Sequence, residues 1–210
     1  MKTRFATPIY PITDKRMSGK TTHLAILREL VRGGASIVQI RDKETAAGEL
    51  LQDIRRCVEY AARYDVRIIV NDRCDLALLS GAAGVHVGQE DLPAALARRM
   101  LGRRALLGIS THSQAQVRQA NLMPVQYIGF GPIFATSSKI DHAPVVGLAA
   151  LRQACRQSIK PVVAIGGIEP KQIPAALEAG AASVALISTL MRSKSIAGRM
   201  EELLKVAGSH

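Results

Sequence analysis

Eight apolar runs punctuate the chain, and each closes on polar residues: TPIYPIT (7–13), SIVQIRDK (36–43), RIIVND (67–72), GVHVGQED (84–91), LLGISTH (106–112), VQYIGFGPI (125–133), PVVAIGG (161–167) and SVALIS (183–188). Their interiors are near-continuous Val, Ile and Ala rather than alternating, the pattern of parallel strands buried on both faces. Between them the apolar positions recur at helical spacing. These stretches are 23–34, 47–65, 74–82, 92–101, 113–122, 147–157, 172–180 and 195–208. Gly33-Gly34 gives the first of them a stop, and Pro93 falls in a first turn, where its missing N–H costs nothing. The alternation predicts an α/β fold, a single (β/α)8 TIM barrel over residues 1–210. Right-handed crossovers then fix its winding. A barrel of this kind builds its active site where strands end, so the polar tails of the runs form the list of candidate site residues.

The chain has 210 residues, 48% of them hydrophobic, enough for one barrel interior and its coat of helices. No apolar run approaches membrane-spanning length, and MKTRFA leads straight into the first strand, leaving no room for a secretory signal. Cys57, Cys74 and Cys155 lie in helical stretches without CxxC spacing, which suggests reduced thiols and a cytoplasmic location. The formal net charge is +11. That charge suits either a nucleic-acid surface or a site for polyanionic small molecules. Aromatic residues are only 3% of the chain and Trp is absent, so base-stacking platforms are poorly supplied and nucleic acid is not the expected partner. The densest basic cluster, Arg98, Arg99, Arg103 and Arg104, reads as a solvated helix face. SGKTT (18–22) resembles the end of a phosphate-binding P-loop, but Asp14 stands where that motif needs glycine, leaving a turn with a helix cap.

Arg41 and Lys43 share one face at the end of the second run with Gln39. Two cations at a barrel mouth suit a polyanion, with Arg41 forking onto phosphate oxygens and Lys43 adding a point charge. The amide of Gln39 suits an aminopyrimidine edge. The competing reading pairs the cations with Asp42 or Glu44. Asn71 and Asp72 end the third strand and Asp91 follows the fourth. Two carboxylates beside a phosphate-binding face fit Mg²⁺, although Asp91 could simply cap the next helix. Ser110 and His112 close the fifth strand, with His112 either an acid/base group or a structural hydrogen-bonding residue; His86 reads as a packed core histidine. TSSK (136–139) offers hydroxyls and Lys139 to a phosphate, or is a plain polar loop. Gly166-Gly167 and Ile187-Ser188 occupy the usual phosphate position of the fold. Two anion sites, a metal site and no nucleophile fit substitution at a pyrophosphate ester.

YPITD (10–14), QIRDK (39–43), ND (71–72), GVHVGQEDLP (84–93), LGISTHS (107–113), GFGPIFATSSK (129–139), Gly147, AIGGI (164–168) and ALIS (185–188) together resemble the thiamine-phosphate synthases, also called thiamine-phosphate pyrophosphorylases. The resemblance covers almost the whole chain. It implies a cytoplasmic transferase that joins hydroxymethylpyrimidine diphosphate to thiazole phosphate, with pyrophosphate released as the pyrimidine dissociates toward a carbocation. It implies that Gln39, Ile40, Arg41, Asp42, Lys43, Asn71, Ser110 and Lys139 contact the pyrimidine diphosphate. Arg41, Lys43, Ser110 and Lys139 are the expected catalytic group. Asp72 and Asp91 are the expected Mg²⁺ ligands; Thr136, Ser137, Ser138, Gly167, Ile187 and Ser188 are expected to hold the thiazole phosphate. The chain departs from the family pattern at Ala135, usually Pro, and at Ser138, usually Thr. The alternative readings are a paralogue like the thiazole tautomerases, a sister family that shares the fold but needs neither metal nor diphosphate site, or a non-catalytic basic barrel that binds RNA. A membrane partner is not expected, and a homo-oligomer is left open.

Overall fold

The computed structural model describes residues 7–135 and 144–208. Eight strands are described: β1 Ile9–Pro11, β2 Ile37–Ile40, β3 Arg67–Asn71, β4 Gly84–Val87, β5 Leu106–Thr111, β6 Tyr127–Phe130, β7 Val162–Ile165 and β8 Ser183–Leu186. All are parallel, and each hydrogen-bonds the next in sequence from β2 to β8, with β8 pairing β1. The last seam closes between β1 and β2 through a parallel bridge, Ile12 opposite Gln39, with the Thr13 N–H donating to the Gln39 carbonyl at 2.9 Å. The TIM barrel is the predicted one.

The main helices are α2 His23–Arg32, α3 Ala47–Ala62, α4 Cys74–Ser80, α5 Ala94–Leu101, α6 Gln114–Leu122, α7 Gly147–Gln157, α8 Ile173–Glu178 and α10 Ile196–Gly208. Two short helices that the periodicity does not reveal, α1 Lys15–Ser18 and α9 Ser188–Met191, follow β1 and β8. Both are single turns, too short for an apolar stripe. The predicted boundaries shift at three places. Helix α3 stops at Ala62, ahead of a turn at Asp65 with φ 53°. Pro93 precedes α5 in an extended conformation (ψ 136°) rather than joining its first turn. The 172–180 stretch begins as a 3₁₀ turn, Pro170–Gln172, held by the Gln172 side chain accepting from the Glu169 N–H. SGKTT is the expected turn and cap: the Thr22 hydroxyl accepts from the Ala25 N–H at 3.1 Å.

Aliphatic side chains from both sheet and helices fill the layer between them, including Ile26, Leu30, Ile54, Leu107, Ile128, Leu151 and Leu203, all fully buried. Inside the barrel the filling is instead partly polar: Tyr10, Gln39, His86 and Tyr127 are buried there. Gly108 makes this possible, because a Cβ at that position would stand 2.2 Å from the Tyr127 ring and 2.5 Å from His86 Nδ1. No helix of the described residues is long and apolar enough to cross a membrane.

Candidate active site

A cavity of about 460 Å³ opens at the C-terminal ends of the strands. Gln39, Arg41 and Lys43 from the end of β2 line it together, as the two-residue spacing requires. Asn71 and Asp72 enter from β3, Gln89, Glu90 and Asp91 from the loop after β4, Ser110 and His112 from β5, and Ile187 from the end of β8.

The two cations do not pair with their sequence neighbours. Arg41 lies 3.7 Å from Asp14, and Lys43 lies 3.7 Å from Asp72. Asp42 and Glu44 are engaged elsewhere, with Lys15 at 2.9 Å and Arg16 at 2.5 Å. Of the two partners Asp72 lines the cavity and Asp14 does not, while Arg41 and Lys43 both line it.

Asp42 was grouped with its neighbours as a substrate contact, but its carboxylate does not line the cavity. Its side chain is 4% exposed and accepts from Lys15, from His23 Nε2 at 3.1 Å, from the Thr45 hydroxyl at 2.8 Å and from the N–H groups of Glu44 and Thr45. His23 Nδ1 in turn accepts from the Thr13 hydroxyl at 2.8 Å, and Thr13 Oγ1 accepts the Arg41 N–H at 3.3 Å. This chain sits behind the β1–β2 seam and fixes the backbone that carries Arg41. Ile40 is likewise buried, its side chain directed away from the cavity.

Burial raises the Asp42 carboxyl, but the Thr45 and Glu44 N–H groups with Lys15 outweigh it and hold the group well below the usual carboxylate range. Burial pushes His23 down, against the pull of Asp42. Acid therefore costs stability twice. Below about pH 6.5 the unfolded His23 takes a proton that the folded one resists, and below about pH 4 the unfolded Asp42 takes one before the folded group does. Asp42→Ala leaves Lys15 and His23 without their anion and is expected to cost roughly 3 kcal/mol, the low end for breaking a buried pair, since Lys15 reaches solvent. A urea denaturation series with unchanged slope checks this.

Asp91 is not a helix cap. Its Oδ2 accepts the Gly88 N–H at 2.6 Å, and α5 begins behind Pro93 with no side-chain cap. Asp72 holds a left-handed backbone conformation (φ 63°), uncommon outside glycine and best tolerated by Asp and Asn. Its N–H donates to the His86 carbonyl at 2.8 Å, the last bond of the β3–β4 ladder, and the left-handed conformation ends the strand there. Among the described residues no group of three or more His, Cys, Asp or Glu could hold a metal ion. The donor set here, two carboxylates lining one cavity, fits Mg²⁺, which commonly takes one or two protein carboxylates and completes its shell with water and substrate phosphates.

His112 lines the cavity and donates through Nδ1 to the Gly131 carbonyl at 2.6 Å. His86 is buried as expected but is not a packing residue alone: it lines the cavity, bonds the Tyr127 hydroxyl through Nδ1 at 3.0 Å and Ser110 Oγ through Nε2 at 2.9 Å. Tyr10 and Tyr127, absent from the candidate list, also reach the cavity; an aromatic inside a strand run carries no sequence signal that distinguishes floor from core.

Gly167 has φ 64°, and a Cβ there would stand 2.2 Å from the Ala135 carbonyl oxygen. Its requirement for glycine comes from the loop after β6 crossing against it. Ser188 opens α9, and Ile187 precedes it at the cavity edge. Thr136, Ser137, Ser138 and Lys139 lie outside the described residues. Arg98, which the sequence places on a solvated face, instead ties together the segments leading into β5 and β6: it donates to the carbonyls of Gly102 at 2.6 Å, Ala105 at 2.8 Å and Pro124 at 3.1 Å, and to the Gln126 side chain.

Fold and cavity together define a TIM-barrel protein with a mixed-charge site at the strand C-termini. The chain belongs to the thiamine monophosphate synthase family, whose model matches residues 9–190. It is 39% identical over 196 residues to the thiamine-phosphate synthase of Chloroflexus aurantiacus, covering 93% of this chain and 90% of the relative. It is 37% identical over 193 residues to the thiamine-phosphate synthase of Halalkalibacterium halodurans, 92% of each chain. Among solved structures, the thiamine phosphate pyrophosphorylase of Pyrococcus furiosus superposes with a TM-score of 0.87 at 31% identity, covering 96% of this chain and 95% of that one.

Proposed function

We propose that the chain is a cytoplasmic transferase that condenses hydroxymethylpyrimidine diphosphate with thiazole phosphate to give thiamine phosphate and pyrophosphate. The observation that carries this reading is the convergence of Gln39, Arg41, Lys43, Asp72, Asp91 and Ser110 on one cavity in a chain of this family. The bond from the pyrimidine methylene carbon to the diphosphate oxygen breaks, and its electron pair leaves with pyrophosphate. The thiazole nitrogen then gives its lone pair to the methylene carbon. Arg41 and Lys43 hold the diphosphate and oppose the charge that grows on it, a stabilisation stronger in the transition state than in the ground state. Lys139 is assigned the same task from the loop after β6. Gln39, Asn71 and Ser110 orient the pyrimidine diphosphate. Asp72 and Asp91 would hold Mg²⁺, which when bound supplies further positive charge to the departing pyrophosphate. Thr136, Ser137, Ser138, Gly167, Ile187 and Ser188 are assigned to the thiazole phosphate. Cys57, Cys74 and Cys155 are buried as thiols rather than joined in disulfides, which supports the cytoplasmic setting.

Thr136→Ala and Ser138→Ala should each weaken thiazole phosphate capture by roughly 1.5–3 kcal/mol, one charge-assisted hydrogen bond, and leave the pyrimidine diphosphate unaffected. Separate titrations with the two substrates check the split; equal losses for both would remove the loop from a dedicated thiazole role. For the reaction itself, pyrophosphate must appear one-for-one with thiazole phosphate consumed. Conversion of a thiazole isomer with no pyrophosphate released would indicate the tautomerase chemistry instead.

A further inference from the structure

The seam between β1 and β2 is a single bridge, Ile12 opposite Gln39. Elsewhere in the barrel, neighbouring strands run side by side over three residues or more. The weak seam lies where placement matters, because β2 ends at Ile40 and Arg41 is the first residue beyond it. The Thr13 N–H donates to the Gln39 carbonyl at 2.9 Å. In a parallel ladder that continued, the next bond would run from the Arg41 N–H to the Thr13 carbonyl. Instead the Arg41 N–H donates to the Thr13 side chain, with Oγ1 at 3.3 Å, as the chain leaves the sheet for α1.

That hydroxyl is itself held. Thr13 is buried, and its Oγ1 lies 2.8 Å from Nδ1 of the equally buried His23, whose Nε2 lies 3.1 Å from Asp42. The branched Cβ stiffens χ1, so the oxygen has one place to be. Whichever of Thr13 and His23 gives the shared proton, the oxygen keeps a lone pair for the Arg41 N–H. The far end of the arginine meets the next residue of the same segment. Nη1 lies 3.7 Å from Asp14 Oδ2, while Asp14 Oδ1 accepts the Met17 N–H at 2.9 Å and caps α1. Successive residues at the exit of β1 thus face the backbone and the guanidinium of one arginine. Arg41 lines the cavity; Thr13 and His23 lie behind its wall.

We infer that Thr13 is a positioning residue for the diphosphate: its hydroxyl stands in for the next ladder bond of the β1–β2 seam and sets where Arg41 enters the cavity. Thr13 acts on the ligand only through Arg41. This rests on the synthase reading for the diphosphate that Arg41 receives.

The test is a double-mutant cycle on the affinity for inorganic pyrophosphate with Mg²⁺, read by calorimetry. Thr13→Val keeps the branched shape and the backbone bond to Gln39, and removes the acceptor. It should weaken pyrophosphate binding roughly tenfold, the worth of one hydrogen bond. Thr13→Ser, which keeps the hydroxyl, should restore most of that loss. In an Arg41→Met background, where Lys43 and Mg²⁺ still hold pyrophosphate, Thr13→Val should change the affinity little. Thermal unfolding shows which proteins are folded at the assay temperature, and Thr13→Ala runs the same cycle if the valine protein is not. Unchanged affinity in Thr13→Val, an equal loss with and without Arg41, or a serine variant as weak as the valine one overturns the inference. So does a wild type that does not bind pyrophosphate. A wild type that obeys the cycle but makes no thiamine phosphate fails the synthase reading alone.

Discussion

Asp72→Asn and Asp91→Asn are each expected to lower turnover on the order of a hundredfold while the protein stays folded. Asparagine is the informative replacement at both positions. At Asp72 it tolerates the left-handed backbone (φ 63°), whereas alanine would add strain of roughly 1–2 kcal/mol to the loss of charge. At Asp91 its amide oxygen can still accept the Gly88 N–H, so the loop after β4 keeps its anchor. What each variant loses is the negative charge that a magnesium ion requires. The check is turnover across a Mg²⁺ titration, beside thermal unfolding. Higher Mg²⁺ should recover part of the loss. A variant with full activity at every Mg²⁺ concentration removes that residue from the metal site.

Lys43→Met is expected to slow the chemical step on the order of a hundredfold, and Lys43→Arg by less. The leaving group gains negative charge as the C–O bond breaks, so a fixed cation helps the transition state more than the ground state. Methionine keeps a similar stem and removes the charge. Arginine keeps the charge but changes its reach and its geometry. Removing the ammonium also releases Asp72 from a partner 3.7 Å away, so the Mg²⁺ dependence should shift in Lys43→Met. Single-turnover rates with the pyrimidine diphosphate compare the three proteins directly. Equal rates for wild type and Lys43→Met would place the ammonium outside the diphosphate step; a tautomerase, from which no diphosphate leaves, would give that result.

The fold was legible because barrel strands are buried on both faces and carry their signature locally, in runs such as RIIVN and SVAL. The faces of those strands were legible too: Gln39, Arg41 and Lys43 share the cavity because alternate residues share a side. Partnerships across the barrel were not. Tyr10 and Tyr127 meet from 117 positions apart, and nothing local marks either as part of a polar floor. For the same reason His86 reads as core until Ser110 and Tyr127 are seen beside it. Asp42 shows the opposite failure. It lies within the segment that lines the site, but the strand alternation turns its carboxylate outward to Lys15 and His23. Gly167 invites a phosphate in sequence, while in three dimensions the backbone at Phe134 and Ala135 is what crowds it. Residue type and position along a strand thus reveal which groups face the mouth. They do not reveal which of those groups are held by others.

The most direct measurement incubates the purified protein with hydroxymethylpyrimidine diphosphate and thiazole phosphate, with Mg²⁺ and with the metal chelated, and follows thiamine phosphate by chromatography. A synthase of this design forms thiamine phosphate and an equal amount of pyrophosphate with Mg²⁺, and far less of both without it. No thiamine phosphate under either condition, from protein shown to be folded, would contradict the proposed activity.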